Sequence, residues 1–204
     1  MVPPVVTIFE SYGSGAQEIG IRVAAALGVA FHAQAFSSEE LEGLRRPDDE
    51  GLLSRVFAAM GGSYAALEGP AVAMAQRDDH DLILRNTRWV TDAARPGAVI
   101  AGRNGALILA SWPGALHVRL DAPVQARIER AARIDAISPQ RAAKRQRRED
   151  TIRADMSIRL YGWDPRDPTR YDLVLNTATL DPDACADIIV GASRVKSSRT
   201  APAT

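Results

Sequence analysis

The chain has 204 residues, 25 basic and 25 acidic side chains and 46% apolar content, which suits one well-buried α/β domain with a mobile lid and is short for two independent domains. Zero net charge argues against wholesale attraction to nucleic acid, and no apolar run approaches the roughly 20 residues of a membrane helix. With one cysteine, Cys185, an internal disulfide is excluded.

In chain order, residues 4–9 read as a buried strand and 15–28 as an alanine-rich helix stopped at Gly28. Residues 29–32 form a short second strand, a capping signature at 37–40 opens another helix, and the polar stretch 46–51 breaks it. The segments 51–61 and 68–95 are helical, with a hinge at Gly61, Gly62 and Ser63. The short apolar runs 98–101 and 115–120 have the character of strands buried in a parallel sheet. An arginine-rich helical region covers 123–160, interrupted near Ser138 and Pro139. Residues 171–175 give a last strand and 181–193 a closing helix holding Cys185, read as a buried structural thiol. Residues 194–204 are expected to be a disordered tail after a single domain, 1–193, whose lid spans about 137–170. Strands alternating with helices predict a parallel sheet covered on both faces, with ligands beyond the carboxyl ends of its strands. No basic-then-apolar leader precedes the first strand, so a cytoplasmic protein is expected.

Those strand ends carry the chemistry. After the first strand comes a turn with Gly13 and Gly15 leading into a helix. Such a turn aims backbone N–H groups and the positive end of a helix dipole at one point, and so grips phosphate without side chains. A phosphate-transferring loop ordinarily ends in Gly-Lys-Ser/Thr, but here the two positions after Gly15 are Ala16 and Gln17, and the first lysine in the chain is Lys144. Of the 25 basic residues 23 are arginine, a usage matching a high-GC bacterial genome and so not itself a sign of function; if phosphoryl transfer happens here, the cationic work falls to arginines. The plainer reading of the loop is a capping box between Ser14 and Gln17. The run 144–148 likewise reads as a lid, a solvated helix face or a nucleic-acid patch. His32, His80 and His117 show no metal-ligand spacing, and 78–81 reads as surface charge, so no metal ligands are assigned.

Tyr-Gly-Ser-Gly-x-x-Glu-Ile-Gly at 12–20, Val-Ile-Ala-Gly-Arg-Asn at 99–104, Leu-Asp-Ala-Pro at 120–123, Arg-Arg-Glu-Asp-x-x-Arg-Ala-Asp at 147–155 and Tyr-Asp-Leu-Val-Leu-Asn-Thr at 171–177 together resemble the cytidylate kinase-like family of P-loop nucleoside monophosphate kinases. The resemblance runs over about 5–190 and rests on the order and spacing of the motifs. It implies a three-layer P-loop fold with an arginine-rich helical lid, and ATP-dependent phosphoryl transfer to a nucleoside monophosphate or similar small phosphorylated acceptor, with ATP and Mg²⁺. On it, Gly13, Ser14, Gly15, Ala16, Gln17 and Glu18 bind phosphate. Arg103, Asn104, Arg130 and Asp150 bind the acceptor, with Arg127 beside Arg130 on the same helix. Arg148, Arg153 and Arg22 supply the catalytic charge, and Glu18 would touch Mg²⁺. Asn104 stands where cytidylate kinases commonly carry aspartate, which leaves cytosine selectivity open. The lysine-less loop keeps a second class in play, a catalytically silent nucleotide-binding protein or sensor, and an interaction protein with an arginine-rich surface is a third. The expected partner is a nucleotide or small phosphorylated molecule, with no membrane and no nucleic acid; a homo-oligomer is left open.

Overall fold

The computed structural model describes residues 2–35, Ser38 and 71–199, with 71–78 as helix backbone. Apart from Ser38, the helix starting near 37–40, its break at 46–51, the helical segment 51–61 and the hinge at 61–63 lie outside the described residues.

Within them the order is β1 (Val5–Glu10), α1 (Ala16–Leu27), β2 (Ala30–His32), α2 (Ala71–Ala94), β3 (Ala98–Ala101), α3 (Gly105–Ile108), β4 (Leu116–Asp121), α4 (Val124–Ile134), α5 (Pro139–Tyr161), a 3-10 turn at Pro168–Arg170, β5 (Leu173–Asn176) and α6 (Pro182–Arg199). All described strand pairs are parallel and the sheet runs β2-β3-β1-β4-β5. The central strands are mostly apolar, Ala98–Ala101 wholly so, because both faces are covered. On one face Val6, Ile8, Val99, Val118 and Leu120 pack against Ile19 and Val23 of α1 and Cys185 and Ile189 of α6. On the other, Val5, Ala98 and Ile100 meet Val90 and Ala94 of α2 and Leu109 just after α3. The period-2 alternation of a strand thus splits adjacent residues such as Val5 and Val6 between two cores. Cys185 is fully buried, and burial pushes its thiol pKa up.

Two features were not anticipated from sequence. The four-residue helix α3 turns directly off the 102–104 corner. The last helix continues past 193 to Arg199, because Ser193 is buried and Lys196 reaches back to Asp172 at 2.6 Å, tying its final turns to the start of β5. The break in the arginine-rich region falls where expected: Ser138 caps α5, its hydroxyl accepting from the Arg141 amide, with Pro139 in the first turn. No described helix is long and apolar enough to cross a membrane.

With β1 between β3 and β4, the turns following all three strands come out side by side on one rim of the sheet. These are the glycine loop, the 102–104 corner and the 121–123 turn.

Candidate active site

The glycine loop is built by its backbone. Gly13 and Gly15 both adopt left-handed angles, φ +81° and +88°, which L side chains adopt only at a penalty. At Gly13 the approach is also close, since a Cβ would lie 2.5 Å from the Arg127 carbonyl oxygen. The loop is then clamped from α4 and α5. The Tyr12 amide donates to Asp150 Oδ1 at 2.8 Å, Arg127 Nη1 donates to the Tyr12 carbonyl at 3.0 Å and to Asp150 Oδ2 at 2.9 Å, and Arg130 Nη1 donates to the Gly13 carbonyl at 3.2 Å and to Thr177 Oγ1 at 2.7 Å. Burial first, then the charges of Glu149 and Asp135, push the Tyr12 hydroxyl up to about 12, so it stays neutral.

The capping box expected from Ser14 and Gln17 does not form. Gly15 is the N-cap and makes no side-chain cap, while the Ser14 hydroxyl is fully buried without a hydrogen-bond partner. The first amide of α1, that of Ala16, instead donates to Glu10 Oε2 at 3.0 Å. Among the described residues, the amides of Gly13, Gly15, Gln17 and Glu18 make no hydrogen bond. An anion therefore already sits at the positive end of the helix, and it is a side chain of the protein. Ala16 itself is 2% exposed and belongs to the core, so only its backbone faces the loop.

Glu10 is one end of a buried charge chain. Arg153 Nη1 donates to Glu10 Oε1 at 3.2 Å and to the Glu10 carbonyl at 3.2 Å, while its Nη2 donates to Glu149 Oε2 at 2.8 Å. Burial opposes the charge on Arg153, yet the two carboxylates hold its pKa above the ordinary value. Burial drives Glu149 the other way, upward, against the pull of Arg153. The Gln34 carboxamide, oriented with its oxygen toward Arg153, adds contacts at 2.9 and 3.3 Å.

Arg153 also forms part of the wall of an open cleft. Phe9, Leu82, Met156 and Leu160 supply its apolar surface and Arg103, Asn104, Asn86 and Tyr161 its polar one. Arg103 and Asn104 both hold left-handed angles, φ +55°, an outlying geometry of the kind that clusters at ligand sites. Several contacts pin this corner. Asn86 Nδ2 donates to the Arg103 carbonyl at 2.9 Å and to the Tyr161 hydroxyl at 2.7 Å, and Trp163 Nε1 donates to Asn104 Oδ1 at 2.8 Å. The indole only donates, so the amide oxygen of Asn104 must face it and its NH₂ turns elsewhere. The Arg103 guanidinium lies over the Trp89 ring, and burial lowers its pKa. Among the described residues it has no carboxylate partner.

The structure thus brings Asp150 and Arg130 to the glycine loop, and Arg103, Asn104 and Arg153 to the cleft. Arg22 and Glu18 stand apart: Arg22 pairs with Glu18 at 3.1 Å and with Asp183 of α6 at 2.7 Å, and lines no part of the cleft. Arg148 lies half-buried on α5 and does not line the cleft. In the 144–148 run, Arg145 is buried against Asp135 at 2.9 Å, which a solvated face would not do. The residues missed from sequence are Glu10, Asn86, Trp89 and Tyr161; only Glu10, an acid at the last position of a buried strand beside a glycine turn, left any trace.

Residues 5–179 match the model of the cytidylate kinase-like family. Among curated proteins, the chain is 33% identical over 112 residues to a cytidylate kinase of Ignicoccus hospitalis, covering 54% of this chain and 64% of that one, and 33% identical over 105 residues to a cytidylate kinase of Pyrococcus horikoshii, covering 50% and 52%. It is also 39% identical over 106 residues to a uronate isomerase of Corynebacterium glutamicum, covering 52% of this chain and 20% of that one. The matches therefore span about half to two thirds of the cytidylate kinases and a fifth of the isomerase. Among solved structures, an uncharacterized protein of Eubacterium ventriosum superposes with a TM-score of 0.61 at 16% identity, covering 94% and 98% of the two chains. A gluconokinase of Sinorhizobium meliloti does so at 0.50 and 17% identity, covering 97% and 96%. These likenesses concern the fold, a three-layer P-loop kinase architecture.

Proposed function

The chain belongs to the cytidylate kinase-like family, and from that premise we propose that it transfers the γ-phosphoryl group of ATP to a nucleoside monophosphate or a similar small phosphorylated acceptor, as a single domain with a lid at about 137–170. One observation carries the reading: Arg103, half-buried and without a carboxylate partner among the described residues, lines a cleft whose wall includes Arg153, which also holds Glu10 beside the glycine loop. An arginine desolvated without a counter-ion is a poor structural device and a good anion receptor.

The donor's phosphates would lie on the loop 13–18, against the amides of Gly13, Gly15, Gln17 and Glu18, unbonded among the described residues, and the acceptor in the cleft against Arg103 and Asn104. An acceptor oxygen would form the new P–O bond in line as the bond to the bridging oxygen of ADP breaks. The work is positioning and charge neutralisation, for which Arg153, between loop and cleft, is the best-placed cation, with Arg148 on the same helix and Arg130 and Asp150 holding the loop. Arg22, held by Asp183, is not part of this assignment. Mg²⁺ would enter with ATP as part of the substrate and neutralise its phosphates. The carboxylates beside the loop that could meet it are Glu10 and Asp121, both engaged in ion pairs, whereas Glu18 is turned to Arg22.

A second reading, a nucleotide-binding protein without turnover, is favoured by the carboxylate on the Ala16 amide and the absence of a loop lysine. A radiolabelled phosphate-transfer screen over nucleoside monophosphates and sugar phosphates, run beside nucleotide-dependent melting shifts, separates them. Transfer supports the kinase, and binding without transfer supports the sensor. Neither binding nor transfer removes both.

A further inference from the structure

We propose that Glu10 is an internal competitor for the phosphate seat, and that the incoming phosphate displaces it and thereby hands Arg153 to the cleft. The inference rests on the reading of residues 13–18 as the phosphate-binding loop.

One carboxylate makes both critical contacts. Its Oε2 takes the first amide of α1 at 3.0 Å, and its Oε1 takes Arg153 Nη1 at 3.2 Å. The N-terminus of a helix offers one concentrated patch of positive potential, and two anions cannot share it without strong repulsion. A phosphate that settles on the loop must therefore expel Glu10 from the Ala16 amide. Expulsion changes the state of Arg153. At present this buried side chain sits between Glu10 and Glu149 at the loop's mouth. Releasing Oε1 removes one of the two carboxylates that hold the guanidinium back, and Arg153 already forms part of the cleft wall. With one counter-ion fewer, and still held by the Glu10 carbonyl, Gln34 and Glu149, the guanidinium then favours an anion in the cleft. Occupancy of the loop and of the cleft become positively coupled, and by linkage an anion in the cleft that draws Arg153 away from Glu10 favours phosphate on the loop by the same factor.

The position of Glu10 fits such a role. It is the last residue of β1, with its neighbour Ser11 donating from its amide to the Leu120 carbonyl, so the side chain pivots on a fixed backbone. Losing its contacts leaves no buried acid stranded, because the residue is half-buried and stands at the rim.

The test uses the full chain and Mg²⁺ with the non-hydrolysable analogue in which an imido group bridges the β- and γ-phosphates of ATP, titrated by calorimetry into wild type, Glu10→Gln and Glu10→Ala. Removing the competing charge is expected to tighten the analogue about tenfold or more in both variants. In wild type carrying ¹³C-carboxyl glutamate, the Glu10 resonance, assigned from its loss in either variant, is expected to shift on saturation with the analogue. That second measurement needs only a spectrum of one variant for the assignment, not a variant stable enough to titrate. Tightening in the variants, or a shifted Glu10 resonance, supports the proposal. Binding to wild type with unchanged affinity in the variants and an unmoved Glu10 resonance overturns it while leaving the phosphate-loop reading intact. No binding to wild type or variants overturns both, whereas binding to the variants alone supports the competitor in its strongest form.

Discussion

The Arg103 guanidinium carbon stands 4.0 Å from the centroid of the Trp89 indole, so that an arginine fixed at the end of β3 is aimed by an aromatic ring on α2. His32 meets the same indole edge-on, with ring centroids 5.2 Å apart, and the three form a stack at the corner of the cleft. The ring holds the charge in place without neutralising it as a carboxylate would, which keeps Arg103 available to an anion.

Arg103→Ala is accordingly expected to lower affinity for a phosphate-bearing cleft ligand by about 10–100-fold, the value of one charge-assisted contact, with little change in melting temperature. Trp89→Ala, which leaves the cation but loosens its aim, should weaken the same binding by a smaller factor, about 3–10-fold. Calorimetry with the best acceptor from the transfer screen measures both. A large loss of stability in Arg103→Ala with unchanged affinity would make that arginine a structural residue.

The two loop glycines should respond differently to the same change. At Gly13 an alanine would pay for the left-handed backbone and also push its Cβ within 2.5 Å of the Arg127 carbonyl, whereas at Gly15 the nearest atoms are side-chain carbons of Arg130 and Ile19 at 3.8 and 3.9 Å. Gly15→Ala is expected to lose about 1–2 kcal/mol, the left-handed penalty alone, and Gly13→Ala clearly more, because α4 must move away from the loop. Urea midpoints read the difference, and equal losses would show that α4 yields freely.

Most of the framework was legible because the signals that specify it are local. Ala98–Ala101 coincides with its apolar run, Gly28 ends α1 in a left-handed cap, and Ser138 and Pro139 mark the break before α5. The site was legible only in part, because its decisive contacts join residues with no periodic relation. Glu10 meets Arg153 across 143 positions and Arg22 meets Asp183 across 161. The spacing along α1 that placed Arg22 one turn beyond the loop was sound, but it could not reveal an acid arriving from α6. Ser14 illustrates the opposite failure: its local capping pattern was present, yet a carboxylate from the preceding strand took the amide at Ala16.

Stability should fall on mild acidification because of His117. Its ring is buried between strands, with Nδ1 2.8 Å from Thr7 Oγ1. Burial, and next the Lys196 charge, lower its pKa below the usual value, with Asp172 and the Leu109 carbonyl opposing. In the unfolded chain the ring protonates near pH 6.5. As pH falls below that point, the unfolded state takes up the proton before the folded state does, so this residue's contribution is complete above about pH 6.5 and is lost as the pH drops toward the folded value. Urea midpoints measured from pH 7.5 to 5 should decline in wild type and decline less in His117→Gln. Parallel profiles would place the acid sensitivity in another group.

Restoring the missing lysine is expected to fail, for a reason that lies in the core. Ala16 is 2% exposed and packs in the cluster that holds Ile19 and Val23, while only its amide points to the loop. A lysine there must thread four methylenes through packed side chains, an insertion that typically destabilises by about 1–3 kcal/mol. In a chain of this size that corresponds to a melting temperature lower by roughly 2–12 °C. Ala16→Lys should therefore lose stability without binding the imido analogue of ATP any tighter. Gln17 is the informative contrast: it is exposed, and its amide is unbonded among the described residues, so Gln17→Lys places a cation at the loop's mouth and leaves the core untouched. It should tighten the analogue several-fold at low salt, with the gain shrinking as salt is added. Melting curves and calorimetric titrations of the two variants side by side decide the matter. Tighter binding in Ala16→Lys at wild-type stability would mean that the side chain at this position faces the ligand, and that the loop accommodates a lysine in the ordinary way.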